Sequence, residues 1–419
     1  MEKKRICIVT PDYLSCTPRV VKEADALYEA GFAVTVVFSQ GNLKEPRYFD
    51  EILLKDKPWQ WYTFGWAPFI KGEKLLYYKS KLRYHIAKRL PSAFWKFGKL
   101  AEYAEGRVYK ELASLAKSCK ADIYIGHYPI GLAAAAYASF CNKAKLGYDI
   151  EDLYGAEQPL TKKGIRETQR IKIIESRYLP YCRHISCVSE LVAEEIAKRY
   201  NINRKILVIH NVFPLRERNN LDGKVKDRRG NALSLYWFSQ VIGENRGIED
   251  IIRAAGLLKE KIQIHLRGVV SQEYKRKLII LARSFGIEDF LYFHPSVPPS
   301  ELLSRTAEHD VGLALEQPVS LSRCLSITNK LFFYMLAGLC IVVTDLPGQK
   351  YIYSNSPDIG FLYPPGDYQT LAKYLYKLIS TQDLLNKYKQ ASLRAAQEKW
   401  NWEKESQNLI ENIKNIINH

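Results

Sequence analysis

The chain has 419 residues, of which 47% are hydrophobic, and a formal net charge of +17 at pH 7. This composition predicts a globular rather than a disordered protein, and the length predicts two domains. No apolar run is long enough to cross a bilayer, so we expect no transmembrane helix. The positive charge predicts an anionic partner: a membrane surface, nucleic acid or a phosphorylated substrate.

The N-terminal run ICIV, at residues 6–9, is too short for the core of a signal peptide and precedes Pro11 and Asp12 rather than a cleavage site. It is typical of the first strand of a cytoplasmic protein. The eight cysteines form no CxxC pair, which predicts buried free thiols rather than a zinc site or a disulfide framework.

The chain begins with the pattern of an open parallel sheet: a strand at 6–9, an amphipathic helix at 19–30 and a second strand at 33–38. The intervening loop contains Thr17 and lacks a GxGxxG fingerprint. Arg19 lies in the first turn of the helix. We expect it to contact a phosphate or an acceptor group, or else to be a solvated surface arginine.

The segment 71–110 is strongly basic and aromatic: it has eleven lysines and arginines against three glutamates. Apolar and aromatic residues recur within it at helical spacing, from Leu75 and Tyr78 to Leu82 and Ile86. A basic helix with such a face is typical of binding to an anionic membrane. A solvated helix packed on its own domain is the alternative, and nucleic acid is disfavoured because no nucleic-acid motif accompanies the patch.

Two further strands of the first half end in polar side chains. The strand at 121–127 ends in His127, and the strand at 146–150 contains Asp149 and precedes Glu151. Ligands of parallel sheets bind outside the carboxyl ends of strands, so His127 is a candidate catalytic or acceptor-binding group and Asp149 a candidate cleft residue. A structural role for the histidine is the alternative.

A polar, turn-rich segment at 214–231 is the best linker candidate, and a second β-α-β series begins after it. The strand at 233–238 is followed by Ser239 and Gln240 and then by a glycine-containing loop. Arg246 in this loop precedes the next helix and is well placed for a phosphate. More strands are predicted at 262–266, 290–293 and 311–315.

Residues 325–348 combine a helix start with a buried parallel strand at 341–344. Ser326, Thr328 and Asn329 precede an apolar helical run, and Lys330 adds a positive charge at the same end. Helix N-termini favour anions, so we expect a phosphate here, with an ordinary capped helix as the alternative. A last amphipathic helix is predicted between Trp400 and Ile417.

The motifs, in their order and spacing, resemble family 4 of the retaining, nucleotide-sugar-dependent glycosyltransferases, which have the GT-B fold. The similar segments are TPRVVKEADALYEAGFAVTVV, SCVSELVAEEIAKRY, VIHNVF, WFSQVIGENRGIEDIIRAA, NKLFFYMLAGLCIVVTDLPG and GFLYPPGD. The resemblance implies an α/β protein with two Rossmann-like, doubly wound domains and a cleft between them. It places an acceptor domain at 1–213, a linker at 214–231 and a donor domain at 232–399, with a C-terminal helix, 400–419, packing back on the first domain.

The resemblance also assigns roles to residues. Arg246 takes the place of a lysine that binds the donor diphosphate, and Gln240 stands where many members have an arginine. His127 matches a strand-end histidine that lies near the transferred sugar in some members of the family. The implied sites are catalytic His127, Arg246 and Lys330; donor-binding Ser239, Gln240, Ser326, Thr328 and Asn329; and, for the acceptor or cleft, Thr17, Arg19 and Asp149.

The sequence departs from the family at two positions. The family commonly has two glutamates eight positions apart, the second of which grips the ribose of the nucleotide. Leu325 and Phe333 occupy these positions here, and neither accepts a hydrogen bond. Glu316 is a candidate substitute.

The expected function is sugar transfer from a nucleotide-diphosphate sugar, with retention, to a glycan or lipid-linked acceptor in polysaccharide or surface glycan biosynthesis. We expect no cofactor and no metal, because no DxD-like pair is suitably placed. The expected location is cytoplasmic, on the inner face of the cell membrane through 71–110. One alternative is a catalytically silent GT-B-like subunit that binds a partner enzyme or membrane. A weaker alternative is a GT-B sugar-nucleotide epimerase.

Overall fold

A computed structural model describes residues 3–156, 161–258 and 262–418. The chain forms two compact units, Met1–Ile209 with Ser406–His419, and His210–Glu405. The boundaries of both units differ slightly from the domains expected from the sequence, because the first unit ends at Ile209 and takes in only the last part of the C-terminal helix.

The described residues of the first unit form seven strands and eight α-helices, together with most of the C-terminal helix. The strands are β1 (Arg5–Val9), β2 (Ala33–Gln40), β3 (Gln60–Gly65), β4 (Ile123–His127), β5 (Lys145–Ile150), β6 (Cys182–Cys187) and β7 (Leu207–Val208). The helices are α1 (Pro18–Glu29), α2 (Lys44–Leu54), α3 (Lys74–Arg89), α4 (Leu100–Glu105), α5 (Tyr109–Ser118), α6 (Tyr128–Asn142), α7 (Lys162–Tyr178) and α8 (Glu190–Tyr200).

These strands form one parallel sheet in the order β3-β2-β1-β4-β5-β6-β7. The order reverses direction between β1 and β4, which is where doubly wound sheets bind ligands. Helix α6 packs very close to this point. A Cβ on Gly131 would lie 2.5 Å from the carbonyl oxygen of Val9, so only glycine allows this approach.

The described part of the second unit holds six strands and the remaining helices. The strands are β8 (Leu233–Ile242), β9 (Ile262–Val270), β10 (Leu291–His294), β11 (Val311–Ala314), β12 (Cys340–Thr344) and β13 (Gly360–Tyr363). The helices are α9 (Ile248–Gly256), α10 (Gln272–Ser284), α11 (Pro299–Ala307), α12 (Leu321–Leu325), α13 (Asn329–Ala337), α14 (Pro347–Asn355), α15 (Tyr368–Ser380) and α16 (Gln382–Glu398). Helix α17 (Trp402–Asn418) begins in this unit and belongs to the first unit from Ser406 onwards.

The second sheet is also parallel, with the order β10-β9-β8-β11-β12-β13. Its strands are buried β-branched and leucine-rich runs, such as CIVVT in β12, and its order reverses direction between β8 and β11. The expected pair of Rossmann-like, doubly wound domains is therefore confirmed.

The segment 214–231 differs from the linker expected from its composition, because it is part of the second unit. The backbone N–H groups of Lys226 and Asp227 donate to the carboxylate of Glu308, at 2.8 and 2.7 Å. The buried guanidinium of Arg305 pairs with Asp222 at 2.6 Å. The polar residues that suggested a linker are therefore used in contacts within the unit.

Helix α17 contributes to the first unit from Ser406 onwards. Leu409, Ile413 and Ile417 are buried at a spacing of four residues, and Asn412 lies 2.8 Å from Nδ1 of His184. Ile410 and Ile416 of the same helix are only half-buried.

Helix α3 exposes an apolar face. Leu75, Tyr78, Leu82 and Ile86 recur at helical spacing and are each more than half exposed, while Ser80 and Ala87 on the other side are buried. Phe94 and Phe97 extend the exposed apolar surface beyond the helix. None of the helices in the described ranges is both long enough and apolar enough to span a membrane.

All eight cysteines lie in the described ranges and are free thiols, as expected. Cys7, Cys182, Cys187 and Cys340 are buried. Cys141 is exposed, which differs from the expectation, because it lies on the outward side of the last turn of α6.

Candidate active site

A cluster of charged side chains in the second unit lies where the strand order reverses. Strand β11 ends at Ala314, and Glu316 follows two residues later with its side chain nearly buried. The hydroxyl of Thr344, at the end of β12, donates to the carbonyl oxygen of Glu316 at 2.8 Å. The carboxyl ends of the two neighbouring strands thus fix the position of this glutamate.

Three cations surround the carboxylate of Glu316. Nζ of Lys330 lies 2.9 Å from one oxygen, and Nη1 of Arg323 lies 2.9 Å from the other. Nη1 of Arg246 approaches the same second oxygen at 3.8 Å. Burial alone raises the pKa of Glu316, but Lys330, with Arg246 and Arg323, outweighs this effect and lowers the pKa to about 2.

The loop before α9 brings Arg246 to this cluster. Gly247 has a φ of +71°, and a Cβ there would lie 2.4 Å from the carbonyl oxygen of Leu315. Only glycine permits this close packing against the residue that precedes Glu316. The loop therefore brings Arg246, which was predicted to bind phosphate, to the same carboxylate that Lys330 contacts.

The other donor-binding residues predicted from the sequence lie near the starts of the same elements. Thr328 is the N-cap of α13 but its side chain does not cap the helix, and its hydroxyl lies 3.4 Å from Nζ of Lys330. Asn329 is the first helical residue. The hydroxyl of Ser326 is buried, and no described residue bonds to it. The start of α13 thus leaves its first N–H groups uncapped by side chains.

Ser239 and Gln240 lie within β8 rather than after its end, because the strand continues to Ile242. The pairing of β8 with β9 is interrupted between Phe238 and Val241, so the two predicted residues form a bulge. Bulges of this kind are frequent beside active sites. Gln240 is exposed, whereas Ser239 is half-buried.

The position of the family's second glutamate is filled by an aromatic cluster. Phe333 is buried, and its ring centroid lies 4.7 Å from that of Phe213 and 5.3 Å from that of Phe238. Leu325, at the position of the first glutamate, ends α12. Phe333 contributes packing, and neither side chain provides a hydrogen-bond acceptor.

In the first unit, Arg19 is fully buried and is neither a solvated residue nor one exposed to a ligand. Its Nε and Nη2 donate to the two oxygens of Asp149 at 2.5 and 2.7 Å, and its Nη1 donates to the carbonyl oxygen of Ile209 at 2.7 Å. The hydroxyl of Ser186 also donates to Asp149, at 2.5 Å. Arg19 and Asp149 therefore tie α1, β5 and β6 together beneath the strand ends.

His127 lies beside this pair and is also fully buried. Its Nε2 is 3.0 Å from Glu23, and its Nδ1 is 3.1 Å from Glu151. Burial lowers the pKa of His127, but Glu23, Glu151 and Asp149 together overcome burial and raise the pKa to about 10. His127 is therefore an imidazolium at neutral pH, and it contacts carboxylates rather than solvent.

Thr17, the last of the predicted cleft residues, is buried before α1 and donates to the carbonyl oxygen of Tyr13 at 3.0 Å. One set of residues in the described ranges, Glu23, His127 and Asp149, has ligand atoms spaced closely enough to hold a metal ion. In this structure Arg19 and His127 form ion pairs with the carboxylates of the set.

Sequence reasoning missed Glu23 and Arg323. Glu23 lies four residues after Arg19 on α1, and this spacing on a helix was the available signal. Arg323 carried no signal beyond its charge. Glu151 was noted only as the residue after a predicted strand, but it joins the buried His127 to the surface, since its side chain is 12% exposed.

The comparisons with known proteins agree with this architecture. Residues 19–217 match the model described as Glycosyltransferase Family 4. HepE from Anabaena, solved in complex with UDP, has a TM-score of 0.65 at 14% identity and covers 98% of this chain and 100% of its own. No curated protein sequence matches the chain.

Two more solved structures have the same fold. A glycosyltransferase from Rickettsia africae has a TM-score of 0.66 at 13% identity, covering 100% of this chain and 99% of its own. TarM from S. aureus has a TM-score of 0.64 at 12% identity and covers 100% of both chains. The resemblance predicted from the sequence is confirmed: residues 19–217 match Glycosyltransferase Family 4, and the chain as a whole has the GT-B fold.

Proposed function

We propose that this glycosyltransferase uses a nucleotide-diphosphate sugar as donor and transfers the sugar, with retention, to a lipid-linked glycan acceptor at an anionic membrane surface. In the cell this reaction would serve polysaccharide or surface glycan biosynthesis. The observation that carries the proposal is the convergence of Arg246, Arg323 and Lys330 on Glu316 beside the start of α13.

The chemistry of the reaction explains why such a cluster is needed. The bond between the anomeric carbon and the diphosphate oxygen breaks, and a bond from the acceptor oxygen to the same carbon forms on the same face of the sugar. The acceptor hydroxyl passes its proton to the departing diphosphate. Negative charge grows on that diphosphate, so preorganised cations and helix N–H groups lower the barrier.

The first unit would bind the acceptor. His127 is buried, so we assign it a positioning role: its imidazolium holds Glu151, whose partly exposed carboxylate faces the strand ends. Arg19 and Asp149 keep β5 and β6 in register below it. We propose no protein nucleophile. The reaction as proposed uses no cofactor and no metal.

The donor is best tested with UDP-sugars first, because HepE was solved with UDP and with UDP and glucose. Purified full-length chain would be incubated with UDP-, GDP-, ADP- and dTDP-sugars and with polyprenyl-linked glycans, and products detected by mass spectrometry. Arg246→Ala should abolish turnover. Arg283→Ala, on the exposed surface of α10, is the matched control and should keep it. Wild-type rates in Arg246→Ala would refute the mechanism.

The exposed face of α3 supports the membrane part of the proposal. Leu75, Tyr78, Leu82 and Ile86 form the apolar stripe, and lysines 74, 79, 81 and 88 accompany it on the same helix. Amphipathic helices with this pattern lie in the headgroup region of anionic bilayers. Leu82 and Ile86 of the stripe also line a groove, whose other lining residues are Lys79, Arg83, Ala87, Leu100 and Tyr103.

Vesicle sedimentation tests this surface with matched tyrosines. Tyr78 on α3 and Tyr376 on α15 are both 54% exposed. Tyr78→Asp should weaken binding to vesicles with an anionic lipid about tenfold, because it removes an aromatic ring from the bilayer surface and adds a charge of the same sign as the lipid. Tyr376→Asp should have no effect. If both variants bind equally weakly, or both bind as wild type does, α3 is not the membrane surface.

A catalytically silent subunit is the second candidate, and the aromatic cluster around Phe333 favours it, because no carboxylate grips a ribose at that position. Calorimetry against a panel of nucleotide sugars separates the two functions. An enzyme should bind at least one donor, whereas a silent subunit should bind none.

A further inference from the structure

Arg323 is an arginine to which neither the family resemblance nor the sequence pattern gives a role. It lies in the short helix α12, and its backbone N–H donates to the hydroxyl of Ser320, the N-cap residue, at 3.2 Å. Its Nη1 lies 2.9 Å from Glu316. The capped turn and the ion pair hold the guanidinium in one place beside Arg246.

Several cations share the carboxylate of Glu316. Lys330 and Arg323 each lie 2.9 Å from one of its oxygens, and Arg246 lies 3.8 Å from the oxygen that Arg323 contacts. Lys330 and Glu316 are almost buried, whereas the side chains of Arg246 and Arg323 are 29% and 30% exposed. The two guanidiniums that share one carboxylate oxygen are therefore partly open to solvent.

This pair has the form that a diphosphate needs. Guanidinium groups bind phosphate oxygens with parallel N–H bonds, and two of them can bind both phosphates of a nucleoside diphosphate. Gln240, which stands where the resemblance expects an arginine, is neutral. The site therefore has one guanidinium from the expected loop and a second from a different element.

We propose that Arg323 binds the diphosphate of the donor together with Arg246 and so supplies the guanidinium that is missing at Gln240. This inference rests on the proposed use of a nucleotide-diphosphate donor and deepens it. Glu316 acts as the carboxylate that positions the two arginines and Lys330 for the ligand.

The assignment makes a prediction specific to the second phosphate. Removing a charge-assisted hydrogen bond to a phosphate weakens binding by about ten- to a hundredfold. A nucleoside monophosphate has no second phosphate, so it should depend far less on Arg323. A merely structural role for this arginine would weaken both ligands equally.

The experiment is calorimetry on the full chain with UDP, ADP, GDP, CDP and dTDP, each paired with its monophosphate. With the diphosphate that wild type binds most tightly, Arg323→Ala should bind about ten- to a hundredfold more weakly, while the monophosphate changes less than about threefold. Arg323→Lys should be intermediate. Arg283→Ala on α10 is the control and should leave both affinities unchanged.

The outcomes separate the two proposals. Wild type that binds none of the diphosphates would sink the proposed function and this inference with it. Wild-type binding that survives in Arg323→Ala, or an equal weakening for diphosphate and monophosphate, would overturn only the role of Arg323. Circular dichroism and thermal unfolding of each variant confirm that it is folded.

Discussion

The stability of the second unit should fall when the pH falls from 7 to 5, because it buries two histidines that are neutral. Nδ1 of His309 lies 2.7 Å from the hydroxyl of Ser234, and Nδ1 of His265 lies 2.9 Å from Nε2 of His294. Both histidines are fully buried, and their ring centroids are 4.6 Å apart.

Burial, with the charge of neighbouring His294, lowers the pKa of His265 to about 3. Burial, with His265 as the next cause, also lowers the pKa of His309 well below its ordinary value. Asp227 opposes both effects, and Arg267 adds to the lowering at His309. In the folded state both histidines therefore stay neutral at pH 5, whereas in the unfolded chain they take up protons at this pH.

The sign and size follow from proton linkage. An unfolded histidine has a pKa of about 6.5, so the stability that each buried neutral histidine contributes is present above this pH and is lost as the pH falls below it. Between pH 7 and pH 5 each histidine should lower the free energy of unfolding by about 2 kcal/mol. The pair should therefore cost about 4 kcal/mol.

Hydrogen–deuterium exchange of peptides from β9 measures the free energy of opening in this unit. The exchange is followed in urea at pH 7 and pH 5, and the rates are corrected for pH. His309→Gln should keep about half of the pH-dependent loss. His85→Gln, on the exposed face of α3, is the control and should keep all of it. The reasoning is refuted if wild type is equally stable at both pH values or if His309→Gln shows the full loss.

Two further predictions concern the first unit. Asp149→Asn should lower the free energy of unfolding of this unit by about 3–5 kcal/mol in urea denaturation, because Arg19 would keep a buried charge without its partner. The control, Asp345→Asn, breaks an exposed pair with Lys350 and should cost under about 1 kcal/mol. Equal effects of the two substitutions would contradict the prediction. Ile413→Ala should lower the free energy of unfolding by about 2–5 kcal/mol in the same assay, because it leaves a cavity at a buried position on α17. Lys414→Ala, at an exposed position, is the control. If Ile413→Ala has as small an effect as Lys414→Ala, the helix is not packed there.

The parallel sheets could be predicted from the sequence because each central strand is a buried β-branched run with a turn after it. The edge strand β3 was missed, since QWYTFG is largely exposed and carries no such run. The segment 214–231 has the composition of a linker, but its N–H groups have partners more than 80 positions away. Composition reports local preference and does not reveal such distant partners.

The sequence likewise predicts some residues of the candidate site correctly and misplaces others. Arg246 and Lys330 could be chosen because each lies near the start of a helix that follows a strand of the predicted sheet. Arg19 and His127 lie at similar places in the pattern, but their carboxylate partners Asp149 and Glu23 bury them. The sequence shows where a charged residue lies along its element; whether it faces solvent depends on residues 100 or more positions away.

The protonated His127 gives the first half of the chain a contribution to stability that alkali, rather than acid, removes. Its folded pKa, about 10, lies above the value of about 6.5 for an unfolded histidine, so its contribution is complete in acid and disappears as alkali removes the proton. The histidines near Ser234 behave in the reverse sense. In mild acid a protease should therefore cut the second half of the chain before the first. In mild alkali it should cut the first half before the second. The fragments at each pH identify which half opened.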